Sequence, residues 1–522
     1  MRRRPAHPWR GLNRLAANTP AERERYLDLL RALAIAAVVI GHWLIIVIDY
    51  DRSGRLTGHS ALVDLPAARP GTWLFQVMPI FFLVGGYANA ASLSSHQRQG
   101  DRAVDWLLDR CGRLLRPTTA LIVVLAASAL GSQVIGADAD QVRPVIWFAT
   151  IPLWFLAAYL TVVALAPVTY ALHRRFGLAV PLLLLVLVVG GDLARLSGPE
   201  WYGSGNFLFG WLAVHQLGYA WRDTRTGAGR AGRELSRTRL PMGPGVGVRL
   251  LLGGFAVLLA LTLAGPYPIS MVNIPGERLH NMSPPSLALL ANATWQLGLI
   301  LLLRAPAERW LRRPRPWLAV VAANAVVLTI FLWHITAAVL LVGALDALDT
   351  LPTPTVGSGT WWLWRLPWLV ALTMLLALLV AIFSPIETGG PRSRFLPLRP
   401  IRRRPAVPPR RPAVPLRRPA APLPRAGRPT HRIDAVLSRT TPRSVLTGAA
   451  LAAVVAALLQ NSLTAKDSPE PLGLPTAALI SYLTGSATLR RLKSPPPAPP
   501  PRPPPPPRPP PPDPRRSRAN TC

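Results

Sequence analysis

The chain has little cysteine and little acid. Cys111 and Cys522 are the only cysteines in 522 residues, too few and too far apart for a disulfide framework or a cysteine metal cluster. Only 24 Asp and Glu face 58 Lys and Arg, giving a formal net charge of +34. Mean hydropathy is nonetheless +0.29. Both values hold only if apolar and basic residues are segregated, and they are: apolar runs fill residues 29–383, whereas Pro and Arg dominate the C-terminal remainder. A cleavable leader is not expected either. The first apolar run is too long for the core of a signal peptide, contains Arg31, and is not followed by a small-residue cleavage site, so it is expected to stay as a span.

At the length a bilayer requires, about 20 residues, hydropathy gives ten candidate spans. They fall near 29–49, 72–92, 117–136, 145–172, 178–194, 205–221, 249–265, 285–303, 317–343 and 361–383. Arginines collect in alternate loops, namely 98–116, 174–175, 222–249 and 304–315, while the opposite loops carry Asp49, Asp51, Asp64, Glu200, Glu277, Asp346 and Asp349. Because basic residues mark the cytoplasmic side, a multi-pass chain in the cell membrane with both termini in the cytoplasm is expected. The fold class is an all-α polytopic membrane protein, a bundle of about ten transmembrane helices with a disordered C-terminal tail.

The chain divides into three regions: a basic N-terminal segment 1–25, a membrane domain 26–385, and a Pro/Arg-rich tail 386–522. The tail holds 24 basic against 5 acidic residues and cannot bury enough apolar surface to fold. Anionic lipid heads would attract it. Nucleic acid is not an expected partner, because aromatic residues for base stacking are almost absent there. The uncharged run SVLTGAALAAVVAALLQ at 444–460 is read as a short apolar helix within the tail rather than an eleventh span.

Ionisable groups inside apolar runs are costly, roughly 2.5 to 3.5 kcal/mol at a helix centre, and so point to function. In YLDLLRALAIAAVVIGHW, Arg31 and His42 are eleven residues apart, which places them on one helical face about 16 Å apart along the axis. With Arg31 at a membrane surface, His42 would lie roughly halfway through the ~30 Å hydrocarbon layer. In WLLDRCGRLLRP, Arg110, Arg113 and Arg116 recur every third residue on one face. Their planar forks match phosphate oxygens, although the charge bias of inner loops alone also places arginine here. His334 lies within the apolar AVVLTIFLWHIT, and Glu277 within the turn-rich outer segment PYPISMVNIPGERLHNMSPPSL. Both are candidate supporting residues, for orienting His42 and for an acceptor lid respectively.

Together these stretches resemble membrane-bound acyltransferase family 3, whose members O-acylate glycans and other acceptors. Arg31, ten intervening residues and His42 resemble its R-x10-H signature; QVMPIFFLVGGYANA at 76–90 resembles its Phe-rich second span. DRCGRLLRP matches its R-x-x-R motif through Arg110 and Arg113, and FLWHIT is similar to its late Leu/Trp-His element. The resemblance spans about residues 25–383. It implies acyl-CoA as co-substrate with no bound cofactor or metal, His42 as the catalytic histidine, and Arg31, Arg110 and Arg113 as donor-side residues. The acceptor would be a hydroxyl on an envelope glycan or lipid-linked sugar. Members often carry a fused hydrolase-like domain, but no Gly-Asp-Ser segment occurs in the C-terminal part of this chain. The reading from another class is a multi-span transporter with an intramembrane Arg/His pathway.

Overall fold

The computed structural model describes residues 23–52, 54–136, 139–226, 238–388, 441–466 and 470–493, with 16, 19 and 468. Expectations for Arg230, Arg233 and Arg237, most of the N-terminal segment and most of the Pro/Arg-rich tail lie outside them.

Helix α1 (Arg25–Ile45) runs into an antiparallel pair, β1 (Ile46–Tyr50) and β2 (Leu56–Ser60), in which Ile46 faces Ser60. Three short helical turns between 61 and 75 lead to α2 (Met78–Gln99). Then come α3 (Ala103–Val134), α4 (Ala139–Thr150), α5 (Leu153–Phe176), α6 (Ala179–Ser197), α7 (Asn206–Thr226) and α8 (Pro244–Leu259). Helix α9 (Leu287–Trp310) precedes α10 (Pro314–Ala325), α11 (Val327–Ala347), α12 (Gly359–Thr388), α13 (Pro442–Leu463) and α14 (Thr476–Leu492). Among the described residues ten helices are long and apolar enough to cross a membrane. The exposed face of α12 carries Leu363, Leu366, Val370, Met374, Leu378 and Ile382, an apolar stripe that suits lipid rather than water.

The ten are not quite the expected ten. Helix α7 fills the place of the sixth span but is not among them, since His215, Gln216, Arg222 and Asp223 interrupt it. It is instead buried among α2, α5, α6 and α9. In its place stands α13, which passes the length and hydropathy test. The short apolar helix expected near 444–460 is thus a 22-residue helix, and with α14 it forms a hairpin packed on α3 and α5. Its anchors are polar as well as apolar. Asn461 donates to Thr150 at 3.0 Å, the Arg143 guanidinium donates to the Gly473 carbonyl at 2.8 Å, and Tyr482 meets Thr119 at 3.2 Å. Part of the region expected to be disordered therefore belongs to the bundle, because its Ala-rich face supplies apolar surface to bury.

Two expected spans are broken. The fourth divides into α4 and α5 at Ile151–Pro152, where proline removes a helical donor. The ninth divides into α10 and α11 at Val326, whose φ of −127° leaves the helical region. The new N-terminus of α11 is capped from α12. The Glu387 carboxylate accepts from the Leu328 and Thr329 amides at 3.2 and 2.8 Å and from the Thr329 hydroxyl at 2.6 Å. At the α2–α7 crossing Gly86 and Gly218 let the backbones touch: a Cβ on Gly218 would collide with the Leu83 carbonyl.

Candidate active site

Charged residues gather where α1 begins. The Glu24 carboxylate is buried between Arg225 at 2.5 Å and Arg304 at 3.1 Å. Burial, with a hydrogen bond shared with Glu308, holds it above the usual carboxylate range. This is the basic end of the bundle. Arg31 lies six residues further in, about 9 Å, and His42 lies in the last turn of α1. Because α1 starts at Arg25, beside the Glu24 cluster, His42 sits beyond the midpoint of the helix.

The shared face of Arg31 and His42 is turned toward the broken ninth span. Arg31 reaches the Asn324 side-chain oxygen on α10 at 3.4 Å and Asp28 at 3.5 Å. Asn324 is itself fixed by donating to the Asp28 carbonyl at 2.8 Å. One helix further along the same stack, His42 Nδ1 lies 2.8 Å from His334 Nε2 on α11. The two rings are coplanar within 6° with centroids 5.1 Å apart, so they meet edge to edge through their nitrogens rather than face to face.

The second nitrogen of His334 sets the proton positions. His334 Nδ1 is 2.6 Å from the Phe331 carbonyl, which can only accept, so Nδ1 carries the hydrogen and Nε2 is left as an acceptor. His42 must then donate through Nδ1 to His334, leaving His42 Nε2 with its lone pair free. His334 is fully buried and His42 half-buried. The frame around them is rigid: Trp43 donates its indole hydrogen to the His334 carbonyl at 2.9 Å, and the Trp43 carbonyl accepts from the Trp368 indole at 3.0 Å. Arg365 donates to the Ile46 carbonyl at 3.0 Å and stacks 4.0 Å over Trp361.

On α3, Arg110 donates to the Tyr159 hydroxyl at 3.1 Å, while Arg113 is exposed. Arg31, Arg110 and Tyr159 lie close enough to interact electrostatically. From Tyr159 a run of rings leads to the histidines: Tyr159 to Phe155 at 5.9 Å, Phe155 to Phe331 at 5.3 Å, and Phe331 to His334 at 6.0 Å. The arginines and the histidine pair thus stand at the two ends of one aromatic wall. Glu277 is not brought to either histidine; Arg69 holds it at 3.2 Å in the connector between α8 and α9. That connector is pinned where Gln76 and Trp73 donate to the Met271 and Ile269 carbonyls at 2.8 and 2.7 Å. A cavity of about 280 Å³ between α2, α6, α7 and α9, lined by residues such as Pro79, Leu185 and Leu297, includes none of these site residues.

Asn324, a polar group inside a span, is expected from the sequence to bond a neighbouring helix, and it does; sequence reasoning missed Tyr159, Phe155 and the buried His215, which lies 3.0 Å from Asn89. His215 did carry a signal, an ionisable residue in an apolar run, of the kind that singled out His42.

Fold and site define a polytopic membrane protein whose core joins an arginine cluster to a hydrogen-bonded histidine pair. A family model described as an acyltransferase domain matches residues 24–384, and the chain belongs to acyltransferase family 3. It is a membrane acyltransferase. No curated protein and no solved structure matches it.

Proposed function

We propose that the protein carries an acyl group, acetyl foremost, from acyl-CoA to a hydroxyl of a cell-envelope glycan or lipid-linked sugar, with His42 as general base. It does so in the plasma membrane with both termini in the cytoplasm. The observation that supports this best is the chain from the Phe331 carbonyl through His334 to His42, which leaves one free lone pair on His42 Nε2. That atom takes the acceptor hydroxyl proton as the oxygen attacks the thioester carbon. The new C–O bond forms, the C–S bond breaks, and the proton passes from His42 to the departing thiolate. Such assistance is worth about 10²- to 10⁴-fold in rate.

Arg31, Arg110 and Arg113 bind the donor phosphates at the basic end. The aromatic wall then leads the pantetheine arm toward His42, over the ~16 Å that eleven helical residues provide. The relay favours this reading over a proton-coupled transporter, since it ends at a backbone carbonyl that cannot take a proton onward.

The test is transfer of labelled acetyl from acetyl-CoA in inverted vesicles carrying the native chain or His42→Ala. Label entering an envelope or lipid fraction with the native chain alone is expected. Undiminished transfer by His42→Ala overturns the mechanism.

A further inference from the structure

The α13–α14 hairpin lies outside the family match, yet its open end rests on the part of α3 that carries the donor-side arginines. There Arg443 is 2.8 Å from Asp105, and Lys493, one of two lysines in the chain, is 2.8 Å from Asp109. Arg443 also donates to the Leu492 carbonyl at 2.9 Å, joining the two ends of the hairpin. Asp105, Asp109 and Arg113 succeed one another at four-residue steps on α3, so Asp109 is the natural helical partner of Arg113. The two do interact electrostatically. Among the described residues, however, the ion pair of Asp109 is with Lys493, and Arg113 makes none within 4.0 Å. Both partners of the Asp109–Lys493 pair are more than two-fifths exposed, and such a pair contributes little to stability. The hairpin is held elsewhere, by Asn461, Tyr482 and its apolar face.

We infer that Lys493 is a positioning residue for donor binding. By occupying Asp109 it leaves the Arg113 guanidinium open to a phosphate of the coenzyme and cancels a carboxylate charge that would repel it. This rests on acyl-CoA being the donor. A segment outside the family domain thereby completes the donor site.

The experiment measures free coenzyme A binding and the KM and kcat of acetyl transfer by the purified full chain. Variants are Lys493→Ala, Asp109→Asn and the double variant. Lys493→Ala is expected to raise both the coenzyme A Kd and the KM about fivefold, the size of one exposed ion-pair contact, with kcat unchanged. Asp109→Asn in the same chain restores both constants, a rescue that a merely structural lysine would not allow. Native affinity in Lys493→Ala, or a double variant as weak as the single one, overturns the role of Lys493 alone. A native chain that binds no coenzyme A overturns both this role and the donor reading.

Discussion

At the scale of single residues, the proposed mechanism turns on which nitrogen carries which hydrogen. His334 contributes an acceptor aimed at His42 Nδ1, so its replacement should act on rate rather than on donor affinity. His334→Ala is expected to lower kcat about a hundredfold, within the range of general-base effects, at unchanged KM. His334→Gln, whose amide oxygen still accepts a hydrogen bond, should recover part of that loss. Steady-state kinetics on the pair checks it, and equal kcat for both would show that the acceptor does not matter. Arg31, His42 and His334 were legible in the sequence because ionisable groups stand out against an apolar background. Their partnership was not, since His42 and His334 are 292 residues apart and a tautomer is set by contacts through space. Glu277 stood out instead for its turn-rich outer segment, and its position is set by Arg69.

At the scale of elements, apolar length located most spans but not where they break. The α4–α5 break has a proline to announce it, whereas the α10–α11 break falls in AANAVVLT, with neither Pro nor Gly; its stabilising cap comes from Glu387 on another helix. Glu387→Ala should leave the Leu328 and Thr329 amides unpaired and destabilise the protein by about 1 to 2 kcal/mol. The loss should appear as a lower melting temperature in detergent and as weaker transfer, since His334 stands two turns along the same helix. An unchanged melting temperature would show that the cap contributes nothing. The α2–α7 crossing predicts a second loss. Gly218→Ala places a methyl against the Leu83 carbonyl and the Tyr87 amide, and overpacking of this kind costs about 1 to 3 kcal/mol. Gly253→Ala, where a Cβ meets open space, is the matched control and should melt like the native protein.

At the scale of the whole molecule, hydropathy alone does not say how two helices are housed, and in each case packing does. Helix α7 is polar enough to miss the span test yet is enclosed by its neighbours; α13, expected within a disordered tail, finds a greasy flank to rest on. Arrangement across the membrane is tested by single cysteines introduced at Asp51 and Arg312 in a chain carrying Cys522→Ser, the buried Cys111 serving as an unreactive background. An impermeant maleimide added to whole cells should label position 51 directly and position 312 only after permeabilisation. The reverse pattern would invert the orientation. The blind end of the histidine relay also has an electrical meaning. In the proposed mechanism a proton accepted at His42 travels no further than His334 and returns to the leaving sulfur, so each turnover would be electroneutral. Transfer should therefore run at the same rate whatever voltage the membrane sustains.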